Sequence, residues 1–354
     1  MRGARKTTRD WIGLEKQLKL DELCRAMIVH DVAVPFLVRR KIQTVFSKTR
    51  NGRFGVKWIM SLTSFVGNKD VRERFKQEFT SPKFSVQKPL LAPPLTKHYS
   101  LVGTAFDYLL RFYLKRLNPE AVESRWVAEN AVTVLFMYKD GFAIHADTGE
   151  VEVEPALMPD EADVAMFHKI KRILSEAKNT YKLYVKTGKI TNVLLTSAIL
   201  LANLDIIFRT GRFEDYIELD TVSKEDIKDL ENLTSIIDLK LFKTKKICLL
   251  NPTFGEASKL VGGADADLII DDTLIDIKTT KKLELPRKYF DQLIGYYCLY
   301  RIGGINGLPE DCEIKNFAVY FSRHAYLHLI PVKDCIGQVN FQKFLKWFEE
   351  RARK

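Results

Sequence analysis

Hydrophobic residues recur with helical spacing through much of the chain, and short apolar runs appear mainly near its C-terminal end. The clearest helical periodicity covers residues 174–204 and 227–237, and an amphipathic helix is predicted over residues 341–353. Apolar runs at residues 268–270, 314–321 and 325–332 are typical of strands. The pattern predicts an α/β protein whose strands lie mainly in the last third.

Composition and chain breakers divide the sequence into four segments. Residues 1–99 form a basic, mostly helical N-terminal region, which ends in a proline-rich loop containing Pro82, Pro89, Pro93 and Pro94. Residues 100–117 are predicted to form one helix that belongs with the C-terminal core. Residues 118–247 are interpreted as a helical insertion, and residues 248–354 as the core itself.

A β-hairpin is predicted over residues 265–280, with Asp271-Asp272-Thr273 as its polar turn. Side chains two positions apart on a strand project from the same face, so Asp276 and Lys278 lie together. Ile275 and Ile277 are then expected to face the core. The hairpin would also bring Asp267 close to Asp276.

This grouping of two carboxylates and one ammonium favours metal-dependent phosphodiester chemistry. Carboxylate oxygens are hard ligands that suit Mg²⁺ or Mn²⁺, and a bound water can then act as the nucleophile. Lys278 would stabilise the negative charge that develops on the attacked phosphate. The alternative is an ordinary solvated strand face.

A downstream helix adds a second polar pair. Pro286 is expected to open this helix, and Gln292 and Tyr296 are four residues apart, hence on one helix face. An amphipathic helix with an aromatic core side accounts for Phe290 and Leu293 but not for Gln292.

Together these residues resemble the PD-(D/E)xK nuclease superfamily, and within it the RecB-like branch. Asp267 and the Asp276-Ile-Lys278 triplet match two of its motifs, and Gln292 with Tyr296 matches its Q-x-x-x-Y motif. The resemblance implies a restriction-endonuclease-like core, in which a mixed central sheet is flanked by helices. It also implies hydrolysis of DNA phosphodiester bonds with Mg²⁺ or Mn²⁺, by an exonuclease or an endonuclease.

The resemblance also implies roles for individual residues. Asp267, Asp276 and the Ile277 carbonyl would bind metal, and Lys278 would stabilise the transition state. Gln292 and Tyr296 would position the substrate or Lys278.

One motif of that branch departs from its usual form in this chain. The upstream G-x-x-x-H motif corresponds to Gly103 and Asp107, so a carboxylate stands where the branch has a histidine. Asp107 is therefore interpreted as an additional metal ligand. The alternative is a helix-surface acid that pairs with Arg111, an interaction of about 0.3 kcal/mol.

The overall charge agrees with a polyanionic partner. The 354 residues carry a formal net charge of +11, and the isoelectric point is near 9.2. Lysine and arginine contacts to phosphates supply most non-specific affinity for nucleic acids. The charge therefore suits a nucleic-acid partner, and the resemblance implies that this partner is DNA. Two alternatives remain open: a nucleic-acid-binding protein that no longer cuts, and a nuclease subunit active only with a protein partner such as a helicase.

Other cofactors and a membrane location are not expected. Five scattered cysteines without a C-x-x-C pair indicate reduced thiols, with neither a zinc site nor an iron–sulfur cluster. No phosphate-binding loop of the ATPase type is present, so no ATP is expected. The N-terminus has no secretory pattern, and the apolar stretch 193–208 reads as a buried helix, which together favour the cytoplasm.

Overall fold

A computed structural model describes residues 61–132, 161–210 and 219–354, together with four short strands outside these ranges. The chain divides into two compact units: residues 1–57 with 141–155, and residues 58–140 with 156–354. Within the first unit, β1 (Phe46–Lys48) pairs with β2 (Phe54–Val56), and β4 (Phe142–Ile144) pairs with β5 (Val151–Val153), both antiparallel. The predicted helices of residues 1–45 lie outside the described residues.

The second unit contains helices α1 to α10 and the remaining strands. The helices are α1 (Leu62–Gly67), α2 (Lys69–Glu78), α3 (Tyr99–Leu117), α4 (Glu161–Thr187), α5 (Asn192–Thr210), α6 (Lys224–Ser235), α7 (Ala257–Leu260), α8 (Arg287–Gly303), α9 (Val332–Cys335) and α10 (Gln338–Ala352). The strands are β3 (Val122–Glu123), β6 (Cys248–Leu250), β7 (Leu268–Ile270), β8 (Thr273–Lys278), β9 (Asn316–Phe321) and β10 (Tyr326–Pro331).

These strands form one six-stranded mixed sheet in the order β10-β9-β8-β7-β6-β3. The pairs β8/β9 and β6/β3 are parallel, and the other three pairs are antiparallel. The connection from β8 to its parallel neighbour β9 contains α8, as a parallel pair requires a crossover. The fold is therefore an α/β fold with a mixed sheet flanked by helices, as the sequence predicted at this level.

Alternate residues of β9 show that helices cover both faces of the sheet. Phe317 belongs to a core cluster with residues of α8 and α10, and its ring meets that of Tyr297 edge to face. Tyr320, on the opposite face, stacks with Phe106 of α3 at 6.4 Å between ring centroids. The strand residues are buried on both sides, which explains the continuous apolar run of β9.

Close packing of α1 fixes the position of α8. A Cβ atom built at Gly295 would lie 2.9 Å from Leu62 Cδ1 and 3.2 Å from Val66 Cγ1, so a larger residue there would require these side chains or the helices to shift. Further along α1, the Phe65 ring contacts Phe348 of α10 at 5.1 Å. The glycine thus lets α1 lie directly on the helix that carries Gln292.

Helix α5 is the most apolar helix of the described residues. It is long and apolar enough to cross a membrane, with a mean hydropathy of 1.6, but 61% of that window is buried inside the protein. It packs against α3 and α4. The predicted buried helix is therefore present.

One short strand was not predicted, and one local expectation was wrong. Within the segment 118–247, interpreted as a helical insertion, β3 adds the last strand to the main sheet through a parallel pairing with β6. A two-residue strand is too short to produce a detectable alternation. Ile277, expected in the core, is only partly buried, because it lies near the end of β8.

Candidate active site

The β7–β8 hairpin places the two predicted carboxylates side by side. Leu268 pairs with Ile275, so the next positions outward on the two strands are Asp267 and Asp276. Asp267 Oδ2 accepts a hydrogen bond of 2.6 Å from the Ile277 N–H, which fixes its side chain to the start of the D-x-K segment. The turn needs a residue that tolerates a left-handed backbone, and Asp271 adopts φ +53° there.

The side chains of Asp276 and Lys278 form a buried ion pair. Lys278 Nζ lies 2.6 Å from Asp276 Oδ2, and the Asp276 side chain is only 1% exposed. The shared strand face predicted for these residues is confirmed. A solvated strand face, the alternative interpretation, does not describe this pair.

Helix α8 contributes Gln292 and Tyr296, which continue the chain of contacts that begins at Asp276 and Lys278. Lys278 Nζ donates a hydrogen bond of 3.0 Å to Gln292 Oε1, and Gln292 Nε2 donates one of 2.9 Å to the Tyr296 hydroxyl. The Tyr296 ring stacks on Phe254 at 5.4 Å. Gln292 and Tyr296 therefore hold Lys278 from the helix side, which gives the unexplained glutamine a structural partner.

Helix α3 brings Asp107 to the same region. Its Oδ2 lies 2.6 Å from Nη2 of Arg111, and the side chains of Arg111 and Asp107 are 1% and 19% exposed, so the pair is largely buried. Asp107 Oδ1 is buried without a hydrogen-bond partner. The helix passes beside the segment that follows β8, because a Cβ atom at Gly103 would lie 3.5 Å from Thr279 Cβ, an ordinary van der Waals distance.

Burial raises the pKa of all three carboxyl groups. The pKa of Asp267 lies well above its ordinary value because of burial first, and then because of repulsion from Asp107 and Asp276. Burial also raises the pKa of Asp276, although Lys278 opposes this, and burial raises that of Asp107 against the opposing effect of Arg111. Electrostatic repulsion is therefore strongest at Asp267, which has no ion-pair partner in the described part of the chain.

Lys278 keeps its charge in this setting. Burial disfavours the ammonium form, but the carboxylates of Asp276 and Asp267 together outweigh burial and raise its pKa. A buried, fixed positive charge stabilises negative charge nearby more strongly than a solvated one does.

A further polar network beside Asp107 was not singled out from the sequence. Tyr108 donates a hydrogen bond of 3.1 Å to Asp205 Oδ2, and Arg209 of α5 contacts both Asp205 and Asp265, at 2.5 and 3.3 Å. Repulsion from Asp205 and Asp265 contributes to the raised pKa of Asp107. The only signal in the sequence was that Asp205 interrupts an apolar helix, where a buried acid needs a partner.

The donor set suits a hard divalent cation, although the side chains do not form a closed ligand shell. Among the residues that the structure describes, no group of three or more His, Cys, Asp or Glu side chains is arranged to hold a metal ion. The unpartnered Asp107 Oδ1 and the unpaired charge of Asp267 nevertheless fit the need for a cation. Asp107, Asp267, Asp276 and the Ile277 carbonyl are the groups that could contribute oxygen ligands.

Comparison of the chain with protein-family models, with curated protein sequences and with solved structures found no match.

Proposed function

We propose that the protein is a divalent-metal-dependent nuclease that hydrolyses phosphodiester bonds of DNA, built on a restriction-endonuclease-like core. One observation carries this proposal: the continuous contacts that join Asp276, Lys278, Gln292 and Tyr296, next to the half-buried carboxylate of Asp267. The mixed sheet with helices on both faces, and the hairpin that presents the acids, support the proposed core.

In this proposal the ion pair and the helix contacts orient the lysine. The Lys278 ammonium has three N–H donors. One side of it faces Asp276 in the ion pair, and another donates the hydrogen bond to Gln292. One donor then remains for a phosphoryl oxygen of the substrate. Because the charge is fixed before the substrate binds, little reorganisation is needed as negative charge develops.

Asp107, Asp267, Asp276 and the Ile277 carbonyl would hold Mg²⁺ or Mn²⁺. When bound, such a cation supplies positive charge that acidifies a water molecule and polarises a phosphoryl oxygen. The raised pKa of Asp267 supports this assignment, because a cation would offset both the burial that raises this pKa and the repulsion from Asp107 and Asp276.

A nucleic-acid substrate is supported by charge. The formal net charge is +11, and exposed Lys281 and Lys282 lie in the segment that joins the catalytic strand β8 to α8. A phosphate backbone would find these lysines close in sequence to the reacting residues. The four described cysteines are free thiols, in keeping with the proposed cytoplasmic location.

A second candidate function is nucleic-acid binding without cleavage. One observation favours it: Asp107 is already engaged by the buried Arg111 instead of facing other ligands alone. A binding protein would retain affinity for DNA in the absence of divalent metal and would show no cleavage in its presence.

The test is a cleavage assay on circular single-stranded DNA, circular duplex DNA, end-labelled linear DNA and RNA, in Mg²⁺, Mn²⁺ or EDTA. Metal-dependent cutting by the wild type that is lost in Asp276→Ala supports the proposal, and cutting of circles identifies an endonuclease. Binding without cutting supports the second candidate, and cutting only after addition of cell extract indicates a partner-dependent subunit. Preferential cutting of RNA would refute DNA as the substrate.

A further inference from the structure

Tyr289 lies beside the proposed catalytic lysine. Lys278 Nζ is 4.8 Å from the centroid of its ring, and Lys288 Nζ is 5.3 Å from the same centroid. Tyr289 precedes Gln292 by three residues on α8, so both residues share the helix face that is turned towards β8. The ring is half-buried, in contrast to the exposed Lys288.

The ring, an ion-pair partner and a hydrogen-bond acceptor together surround the Lys278 ammonium. Asp276 Oδ2 lies at 2.6 Å, Gln292 Oε1 at 3.0 Å, and the aromatic ring at cation–π distance. A lysine side chain has four flexible methylene groups, and two contacts alone leave it several rotamers. The ring adds a third contact to the ammonium without using an N–H donor in a strong hydrogen bond.

The aromatic ring, not the hydroxyl, makes this contact. In the described part of the chain the Tyr289 hydroxyl has no hydrogen-bond partner, whereas the ring has two ammonium neighbours. Phenylalanine would therefore preserve the contact, and leucine, which has similar hydrophobicity but no π face, would remove it.

We propose that Tyr289 is a positioning residue that holds the Lys278 ammonium in its reactive orientation and leaves one N–H donor for the substrate phosphate. The proposal rests on the proposed nuclease function. A ring that acts only on the position of Lys278 should affect the rate of the chemical step and not the binding of DNA.

The kinetic test compares the wild type with Tyr289→Leu, Tyr289→Phe and Lys288→Ala on end-labelled DNA in Mn²⁺. We expect Tyr289→Leu to lower kcat about tenfold with little change in KM, the order of magnitude of a desolvated cation–π contact. Tyr289→Phe and Lys288→Ala should retain the wild-type kcat. Equal losses in the Leu and Phe variants, or no loss in Tyr289→Leu, would overturn the proposal.

A second measurement does not depend on activity. The rate of Lys278 modification by a small amine-directed reagent, read by peptide mass spectrometry, should rise in Tyr289→Leu and stay at the wild-type value in Tyr289→Phe. An unchanged rate in the Leu variant would show that the ring does not hold Lys278. If the wild type cuts no DNA, the proposed function fails, while the modification rates still decide whether Tyr289 positions the lysine.

Discussion

Lys278 and Gln292 are joined by a hydrogen bond of 3.0 Å that connects strand β8 to helix α8. The amide of Gln292 is bifunctional: its oxygen accepts from the lysine, and its nitrogen donates to Tyr296. This arrangement gives the glutamine a role that a hydrophobic residue of the same helix face could not fill.

Replacement of Gln292 by leucine should lower the cleavage rate while the protein stays folded. Both hydrogen bonds are lost, and Lys278 keeps only Asp276 and the Tyr289 ring. Changes to such supporting contacts typically reduce activity about 10- to 100-fold. Steady-state kinetics with thermal unfolding of each variant checks this, and Gln342→Leu, at an exposed position of α10, is the matched control. A Gln292→Leu enzyme with wild-type kcat would contradict the assignment.

Replacement of Asp267 by asparagine should stabilise the metal-free protein and abolish its stabilisation by Mn²⁺. The half-buried carboxylate has no ion-pair partner in the described part of the chain, and asparagine can still accept the Ile277 N–H. Such stabilisation at the expense of activity is common at functional sites. Melting temperatures in EDTA and in Mn²⁺ measure both effects, and the exposed Asp311→Asn is the control.

The pH dependence of the Asp267→Asn effect follows from the raised pKa. The folded state binds the proton of the Asp267 carboxyl group more tightly than the unfolded state does. As pH rises from the unfolded-state pKa to the folded-state pKa, this carboxyl group therefore lowers the free energy of unfolding. The stabilisation by Asp267→Asn in EDTA should therefore be larger at about pH 8 than at about pH 4. The same gain at both pH values would show that the charge is not the cause.

Asp271 should stabilise the hairpin turn in its ionised form. Although burial opposes this, hydrogen bonds from Thr244 and from the backbone N–H groups of Lys246, Ile247 and Lys245 lower its pKa below the ordinary 3.8. The stabilisation by the Asp271 carboxylate is therefore fully present above the pKa of this group in the unfolded state, and it is lost as pH falls through its pKa in the folded state. Asp271→Asn, which tolerates the left-handed backbone, should cost about 1–2 kcal/mol near pH 7 and much less near pH 3. Urea unfolding at the two pH values measures the difference, and an equal cost at both would contradict this account.

Removal of Arg323 should destabilise the protein strongly. Arg323 and Asp229 form a fully buried pair at 2.8 Å, both 1% exposed, and Arg323 also donates to the Ala92 carbonyl. Arg323→Met leaves a buried charge unpaired, which costs about 3–5 kcal/mol, and adding Asp229→Leu should recover part of the loss. Urea unfolding measures the free energy of unfolding of each variant. As a control, loss of the neighbouring exposed pair Lys228–Glu231 should cost at most about 1 kcal/mol. A small cost for Arg323→Met would contradict the prediction.

The local parts of the site could be predicted from sequence because their geometry follows from short spacings. Residues two apart on a strand share a face, so the Asp276–Lys278 contact was predictable, as was the shared helix face of Gln292 and Tyr296. The helices and strands of the last third were also found close to their predicted positions.

The remaining parts depend on long-range packing that leaves no periodic signal. Asp205 is 97 residues from its partner Tyr108, and Arg209 is 56 residues from Asp265. Strand β3 is too short for a pattern of its own and is defined only by its pairing with β6. The contact between Tyr289 and Lys278 likewise depends on where α8 lies above the sheet, which Gly295 and α1 help to fix.

The central claim is that Lys278 stabilises the transition state of phosphodiester hydrolysis. The most direct measurement is the initial rate of cleavage of end-labelled DNA by the wild type, Lys278→Met and Lys288→Met. We predict cutting by the wild type in Mn²⁺ and none in EDTA, a loss of at least about a hundredfold in Lys278→Met, and a rate near that of the wild type in Lys288→Met. No cutting by the wild type in any divalent metal, or equal rates for the wild type and Lys278→Met, would contradict the account.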